Sequence, residues 1–211
     1  GISELGQREY KFVIAASGAS GAIYGRELLR AIASSVPGES SLIVSAAALR
    51  VYNQELKGTL RTPQEYLDAN LNGISTDKRV HSFRILDHAD IGAKAASGST
   101  PSDGMIICPC SMKTLAGIAH GYTSNLIERA ADVCLKERRR LVVVPRETPY
   151  SLIHLRNMTQ LTEAGGIVLP GSPGFYQNPR TLDDLGRFIA GRILSLFDIH
   201  HSLYEGWEGE D

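Results

Sequence analysis

Residues 12–32 read FVIAASGASGAIYGRELLRAI, and this stretch decides the fold class. The run from Tyr10 to Ala16 is typical of a buried strand. From Ala22 to Ser35 the apolar residues recur at helical spacing, which predicts an amphipathic helix. The residues between the two are all small: Ser17, Gly18, Ala19, Ser20 and Gly21. We therefore predict a strand and a helix that are joined by a turn of bare backbone and hydroxyl groups.

The rest of the chain alternates strand and helix patterns in the same way. Apolar runs predict strands at 41–45, 80–85, 104–110, 141–145 and 167–170. Amphipathic stretches predict helices at 46–56, 63–71, from Ser111 onward, at 124–140, after Thr148 and at 181–197. We expect Thr148 to cap a helix with Pro149 at its first position, and Thr181 to form a capping box with Asp184. The alternation predicts an α/β fold with a doubly wound, mostly parallel sheet that is covered on both faces.

Length and patterning favour one domain. The chain has 211 residues, which suits a single α/β domain with a sizeable core. No repeat, linker or low-complexity segment divides it. We predict one domain over residues 1–211, with an N-terminal extension at 1–9 and a C-terminal tail at 198–211.

Composition argues against several classes of function. The formal net charge is −1, so we expect no electrostatic attraction to nucleic acid or to an anionic membrane. No apolar stretch approaches the ~20 residues of a membrane span. The 3 cysteines form no C-x-x-C pair, and the 6 histidines show no metal-ligand spacing. We therefore expect a cytoplasmic protein with no metal site, no nucleic-acid partner and no membrane span.

The turn after the first strand suggests a ligand site. In open α/β sheets ligands bind beyond the carboxyl ends of the strands, and N–H groups at a helix start favour a phosphate. The alternative is a tight turn in which Ser17 or Ser20 only caps the helix. The spacing of Gly18, Gly21 and Gly25 is not G-x-G-x-x-G, and the second strand ends in Ser45 without an acidic residue. These features disfavour NAD, so FMN fits better.

Three further strand ends carry polar groups. The segment CPCSMKT supplies Ser111, Lys113 and Thr114 at a helix start, which is a second turn suited to an anion. Arg146 and Glu147 follow the strand that ends in VVVP, and Tyr176 lies in a loop after the last strand. Each has a plainer explanation: the Arg146–Glu147 pair as a surface ion pair, and Tyr176 as loop packing. Polar groups at four strand ends of one sheet nevertheless favour a common site.

The helix SNLIERAADVCLKERRR has a charged face. Arg129 and Lys136 lie seven residues apart and so share that face, and Asp132 is placed to pair with Lys136. From periodicity alone we interpret this face as solvated, without a function.

Four segments resemble the UbiX/Pad-type flavin prenyltransferases: SGASGAIYG, CPCSMKTLAGIAHGYTSNLIERAADVCLKERR, VPRETPYSLIHLRNM and PGFYQNPRTLDDL. The resemblance extends from Tyr10 to Trp207. It implies a flavodoxin-like Rossmann fold in a homo-oligomer, usually a dodecamer. The family joins a dimethylallyl group from dimethylallyl phosphate to N5 and C6 of reduced FMN. The product, prenylated FMN, is the cofactor of UbiD-type decarboxylases, which are the functional partners that the resemblance implies.

The resemblance also implies roles for individual residues. Glu55 and Glu147 match the acidic residues near the prenyl transfer site, although Glu55 is matched by spacing only. Arg129 and Lys136 join Tyr176 and Arg192 at the phosphate of dimethylallyl phosphate, which replaces the solvated-face interpretation. FMN binding falls to Gly18, Ala19, Ser20, Ser45, Ser111, Met112, Lys113, Thr114 and Arg146.

The implied mechanism needs no metal. The segment DDLGR stops short of the aspartate-rich pattern that holds Mg²⁺ in many prenyl-transfer enzymes. Lys136, Arg129 and Arg192 would instead stabilise the departing phosphate, and Glu147 would move protons. Two alternatives stay open. One is a flavin-dependent decarboxylase of the cysteine type, whose Pro-Ala-Ser-Ala-Asn-Thr segment differs from PCSMKT here. The other is a non-catalytic FMN-binding subunit of a decarboxylase system.

Overall fold

The computed structural model describes residues 1–2, 6–94 and 97–204. Its six strands form one parallel sheet in the order β3-β2-β1-β4-β5-β6. The strands are β1 (Tyr10–Ala16), β2 (Gly38–Val44), β3 (His81–Leu86), β4 (Gly104–Cys110), β5 (Arg140–Pro145) and β6 (Gly166–Val168). The direction of winding reverses between β1 and β4, and this reversal is the point where ligands bind in doubly wound sheets.

Helices connect the strands and cover the sheet on both faces. They are α1 (Ala22–Ser35), α2 (Ala46–Leu56), α3 (Pro63–Asn70), α4 (Met112–Ala119), α5 (Leu126–Lys136), α6 (Leu152–Glu163) and α7 (Leu182–Leu196). Side chains of β1 point alternately to the two faces, because successive residues of a strand do so. Phe12 and Ile14 pack with α1, α2, α3 and α7, whereas Val13 and Ala15 pack with α4, α5 and α6.

The predicted doubly wound, flavodoxin-like α/β fold is confirmed. The first strand and helix have the predicted bounds, and Thr181 and Asp184 form the predicted capping box of α7. The predicted helix at 124–140 is too long, because α5 ends at Lys136 and Arg140 begins β5.

The predicted start of α6 is wrong. Its N-cap is Ser151, not Thr148, and the helix begins at Leu152. The Ser151 hydroxyl accepts a hydrogen bond from the His154 amide at 3.1 Å, and the His154 ring accepts one from the Ser151 amide at 3.1 Å. This reciprocal pair satisfies the amides of Ser151 and His154. A start at Thr148 and Pro149 would not provide these two hydrogen bonds.

Two further features of the fold bear on the predicted function. Within the parts of the chain that the structure describes, no helix combines the length and the apolar character that a bilayer crossing requires. After α7 the chain folds back, so that His201 reaches Ser195 on that helix. The proposed tail from residue 198 therefore contacts the domain as far as the description extends, to Tyr204.

Candidate active site

The carboxyl ends of β1 and β4 are tied together at the reversal of the sheet. The Ser17 hydroxyl accepts a hydrogen bond of 2.8 Å from the Ser111 amide. The Ser111 hydroxyl accepts from the Thr114 amide at 3.1 Å, so Ser111 is the N-cap of α4. Ser17 is buried and does not cap α1, whose N-cap is Gly21 without a side-chain cap. The interpretation of Ser17 or Ser20 as a simple cap of α1 is therefore wrong.

A carboxylate from α2 occupies the start of α1. The amides of Gly21 and Ala22 each donate a hydrogen bond of 2.9 Å to Glu55, and the Ser20 hydroxyl donates one of 2.5 Å. Partial burial raises the pKa of Glu55, but these hydrogen bonds and the positive charge of Arg146 outweigh it. The net effect is a pKa below the ordinary value of a glutamate, so the charged form is favoured.

This arrangement changes the interpretation of the first turn. The sequence predicted free amides that would bind a phosphate, yet two amides at the start of α1 bind the carboxylate of Glu55. The Ala19 amide donates to the Ser17 carbonyl at 2.9 Å. A Cβ on Gly18 would lie 2.5 Å from the Cβ of Ala47, so this glycine allows the turn to approach α2 closely. Packing thus explains Gly18 without a ligand.

Three other residues that were assigned to FMN lie at starts of helices. The Ser45 hydroxyl accepts from the Ala48 amide at 3.1 Å and so caps α2. Met112 is buried in the core, which leaves its backbone as the part that can meet a ligand. Lys113 is exposed.

Arg146 lies at the end of β5 and has an unsatisfied donor. Its Nε is buried and has no hydrogen-bond partner among the described residues. The side chain of Arg146 lies next to Gly171, where an added Cβ would be 3.3 Å from its Cγ. Buried donors are nearly always paired in folded proteins, so this nitrogen marks a place where a ligand acceptor fits.

Tyr24 belongs to the same cluster, and sequence reasoning did not identify it. Its hydroxyl donates to the Gly171 carbonyl at 3.4 Å. Burial raises the pKa of this hydroxyl; Cys108 and Glu55 add to the rise and Arg146 opposes it. The motif SGASGAIYG contains this tyrosine, and its place in that motif could have indicated a role at the site. Tyr24 therefore links the first turn of α1 to the segment after β6, at the place where Arg146 also lies.

Glu147 is half-buried beside Arg146. Its carboxylate accepts a hydrogen bond of 3.2 Å from the Thr148 amide. Neither Arg146 nor Glu147 forms an ion pair within the described part of the chain. The plainer interpretation as a surface ion pair is therefore wrong, and both charges remain available to a ligand.

Tyr176 and Arg192 line one surface cavity of about 510 Å³. The Tyr176 side chain is 52% exposed, and its ring meets the edge of Phe188 with 5.8 Å between ring centroids. Ser195 and residues of the tail complete the lining. The structure thus brings together two of the four residues that were assigned to the second phosphate.

The other two residues lie elsewhere. Arg129 and Lys136 are exposed on α5, which covers the opposite face of the sheet from α7. Lys136 pairs with its neighbour Glu137 at 4.0 Å rather than with Asp132. One copy of the chain therefore does not assemble all four groups around one phosphate.

The described residues contain no group of three or more His, Cys, Asp or Glu side chains that could hold a metal ion. The cysteines are free and buried. Burial raises the pKa of Cys110 to about 12 and that of Cys134 to about 11, so neither thiol is suited to act as a nucleophile.

Comparison with known proteins identifies the family. The Flavoprotein family model matches residues 2–194. The flavin prenyltransferase UbiX of Halalkalibacterium halodurans is 44% identical over 200 residues, which cover 95% of this chain and 94% of the relative. The chain belongs to the UbiX-type flavin prenyltransferase family.

Two solved structures of relatives cover nearly the whole chain. AnUbiX (PadA1), solved in complex with FMN and dimethylallyl pyrophosphate, is 39% identical with a TM-score of 0.81, over 97% of this chain and 100% of that one. A dodecameric FMN-dependent UbiX-like decarboxylase of Escherichia coli O157:H7 is 39% identical with a TM-score of 0.82, over 94% of this chain and 100% of that one. The similarity therefore includes the whole site and not only the sheet.

Proposed function

We propose that the protein is a flavin prenyltransferase that joins the dimethylallyl group of dimethylallyl phosphate to N5 and C6 of reduced FMN. The observation that carries the proposal is the Nε of Arg146 just after β5, the strand next to β4 at the reversal of the sheet; this nitrogen is buried and has no partner among the described residues. Ligands of doubly wound sheets bind there, and the guanidinium offers a donor with a positive charge. The full-length similarity to UbiX-type relatives supports the reaction.

The residues at the carboxyl edge of the sheet form what we name the flavin half of the site. Ser45 and Ser111 place hydroxyl groups beside the ends of β2 and β4, and Arg146 adds its free donor. The remaining members are Gly18, Ala19, Ser20, Met112, Lys113 and Thr114. When bound there, reduced FMN supplies the electron-rich atoms that attack the allylic carbon. The protein holds it against the second substrate, which lowers the entropic part of the barrier.

Glu147 is the proposed proton carrier of the flavin half. A general base must be within reach of the proton that it takes, and it must not be held in an ion pair. Glu147 accepts one hydrogen bond, from Thr148, and has no ion-pair partner among the described residues. Glu55 lies near the same edge, where Ser20, Gly21 and Ala22 hold it as a carboxylate.

Arg129, Lys136, Tyr176 and Arg192 form the phosphate half of the site. Negative charge develops on the departing phosphate, and fixed cations stabilise it without a metal. Because α5 and α7 lie on opposite faces of the sheet, we propose that the two pairs meet only where copies of the chain adjoin. A homo-oligomer is then a condition of activity.

An apolar patch beside the flavin half supports this oligomer. Tyr150, Leu152, Ile153 and Leu155 are exposed to 36%, 59%, 70% and 47% at the start of α6. Such contiguous apolar surface is typical of an interface. We propose that further copies of the chain cover it in a dodecamer, as in the relative from Escherichia coli. We further propose a cytoplasmic location and a UbiD-type decarboxylase as the consumer of the prenylated FMN.

The test is mass spectrometry of the flavin after anaerobic incubation with reduced FMN and dimethylallyl phosphate. We expect a product heavier by one dimethylallyl group, formed equally well with EDTA. In parallel incubations dimethylallyl pyrophosphate replaces dimethylallyl phosphate, and NADH replaces reduced FMN. Unmodified flavin together with CO₂ release from a cysteine-type thiol would favour the decarboxylase alternative. FMN that stays bound but unchanged in every arm would favour the non-catalytic binding subunit.

A further inference from the structure

A histidine links the tail after α7 to that helix, beside the core packing of Ile199 and Leu203. The His201 Nε2 lies 3.0 Å from the Ser195 hydroxyl oxygen, and the Leu203 amide donates to the His201 Nδ1 at 3.3 Å. An amide can only donate, so Nδ1 is the unprotonated nitrogen and Nε2 carries the proton. The neutral form of the ring therefore satisfies both contacts at once.

The helix has a glycine where the tail lies against it. A Cβ on Gly191 would be 2.7 Å from the Cε1 of His201 and 2.3 Å from the Cε1 of Tyr204. Both distances are shorter than packed carbon atoms tolerate, so only glycine allows the tail to approach α7 this closely. His201 and Tyr204 are thus held against the same turn of the helix.

A row of rings leads from His201 to Tyr176. The ring centroids of His201 and Tyr204 are 5.0 Å apart, and those of Tyr204 and Phe188 are also 5.0 Å apart. Phe188 in turn meets Tyr176 at 5.8 Å in an edge-to-face contact. Tyr176 is half-exposed in a loop, so Phe188 and the rings behind it are what orient it toward the cavity that it shares with Arg192.

We propose that His201 is a positioning residue that fixes Tyr176 at the phosphate half of the site by fastening the Tyr204 ring against Phe188 of α7, which contacts Tyr176 in turn. The inference rests on the proposed function, in which Tyr176 and Arg192 bind the phosphate of the prenyl donor. His201 also lines the cavity that Tyr176 and Arg192 share. In this proposal it acts on Tyr176 through the row of rings and not by binding the substrate.

The charges around His201 oppose its protonation. Burial lowers the pKa of His201, and the Gly191 carbonyl acts to raise it. The charges of His200 and Arg192 lower this pKa further. The other titratable groups that face it are Tyr204 and Tyr176. Protonation of Nδ1 would remove the acceptor of the Leu203 amide. The fastened tail is therefore complete above about pH 6.5 and is lost as the pH falls through the lowered pKa of the folded state.

The test is a double-mutant cycle on the KM for dimethylallyl phosphate. We expect His201→Ala to raise this KM about 3- to 10-fold, the range of aromatic contacts, and to leave the Kd for FMN unchanged. In a Tyr176→Phe background the same change should have little further effect, because the group that His201 positions is already lost. Independent, multiplicative effects would overturn the proposal.

Two conservative variants cover the possibility that His201→Ala does not fold. His201→Asn offers an acceptor near the place of Nδ1, and His201→Gln offers a donor near the place of Nε2. We expect His201→Asn to restore most of the wild-type KM at pH 7.5. Unlike the wild type, it should show no additional rise in KM as the pH falls from 7.5 through the lowered pKa of His201, beyond the rise that the titrating substrate phosphate causes. An identical pH profile in the two proteins would contradict the proposal.

The matched control is His120→Ala, which removes a histidine with one side-chain contact of 3.0 Å, to Asn157, on the other face of the sheet. We expect its KM and its pH profile to equal those of the wild type. Absence of prenyl transfer in the wild-type protein would instead disprove the proposed function itself. That result differs from an active wild type in which the His201 variants change nothing.

Discussion

The flavin half and the phosphate half of the site are built in different ways. The residues proposed for the flavin half lie at one edge of the sheet in a single chain, where Ser17 and Ser111 join two strand ends and Glu55 occupies the start of α1. The phosphate half is divided within one chain, with Tyr176 and Arg192 on the side of α7 and Lys136 on the side of α5. We therefore propose that one chain presents the residues that bind the flavin, whereas the residues that bind the phosphate meet only in an assembly.

Replacement of Glu147 by Gln tests the flavin half and has the largest expected effect. The amide keeps the shape of the side chain and loses the titrating proton, so we expect prenyl transfer to slow about 10²–10⁴-fold. The Kd for FMN should stay close to the wild-type value, because Glu147 is not proposed to bind it. Single-turnover formation of prenylated FMN measures the rate of prenyl transfer, and fluorescence titration measures the Kd for FMN. Wild-type turnover would leave Glu147 as a structural neighbour of Arg146.

The phosphate half is tested by Lys136→Ala and Arg192→Ala. We expect each to slow prenyl transfer about 10²–10³-fold, as removal of one fixed charge-stabilising donor does elsewhere. The double variant should lose less than the product of the two effects, because both groups act on one anion. FMN affinity should not change in any of the three. If both single variants turn over normally, the exposed face of α5 is only a solvated charged face.

His81 provides a comparison from outside both halves. It is buried at the start of β3, where its Nδ1 donates to the Val36 carbonyl at 2.7 Å and its Nε2 accepts from the Ser40 hydroxyl at 2.7 Å. Burial lowers the pKa of His81, although the Val36 carbonyl and Glu39 act to raise it. The neutral form of the ring therefore stabilises the fold above about pH 6.5. That contribution is lost as the pH falls through the lowered folded-state pKa.

We expect His81→Gln to cost about 1–3 kcal/mol at pH 7.5, because buried partners lose their hydrogen bonds. The melting temperature of the variant should also depend less on pH between 7.5 and 5 than that of the wild type, at equal protein concentration. FMN affinity should not change. A variant with the wild-type acid sensitivity would show that another group is responsible.

Glu55→Ala has the smallest expected effect on stability. The exposed carboxylate accepts hydrogen bonds from the amides of Gly21 and Ala22 at the start of α1. This contact stabilises the fold by about 1 kcal/mol after solvent screening. The pKa of Glu55 lies below its ordinary value, so this stabilisation is present above about pH 4.3 and disappears as the pH falls through the folded-state pKa. Thermal melts at pH 7 and pH 3 measure it. If the melting temperatures of variant and wild type differ by the same amount at pH 7 and at pH 3, the capping role is contradicted.

Local signals in the sequence predicted much of the fold. The change from strand to helix periodicity located β1 and α1, and the Thr181–Asp184 pair located the start of α7. The start of α6 was missed because two local signals compete there. A proline after Thr148 is a common start, but the structure uses Ser151 with a histidine in place of the usual Glu or Gln of a capping box.

Long-range placement could not be predicted from the same signals. Glu55 is 35 residues from Ser20, and no local pattern indicates that its carboxylate takes the amides of the first turn. The seven-residue spacing of Arg129 and Lys136 predicts a shared face of one helix. It does not tell which side of the sheet that helix covers, and this side decides whether one chain can complete the phosphate half.

Mixing two inactive variants tests the division of the site most directly. Lys136→Ala and Arg192→Ala proteins are dissociated, combined in equal amounts and reassembled, and prenyl transfer is compared with that of each variant reassembled alone. If the two side chains come from different copies, about a quarter of the sites in a random mixture have both intact, so about a quarter of the wild-type rate should return. If both come from the same copy, no site has both intact. A mixture no more active than its components would contradict the account.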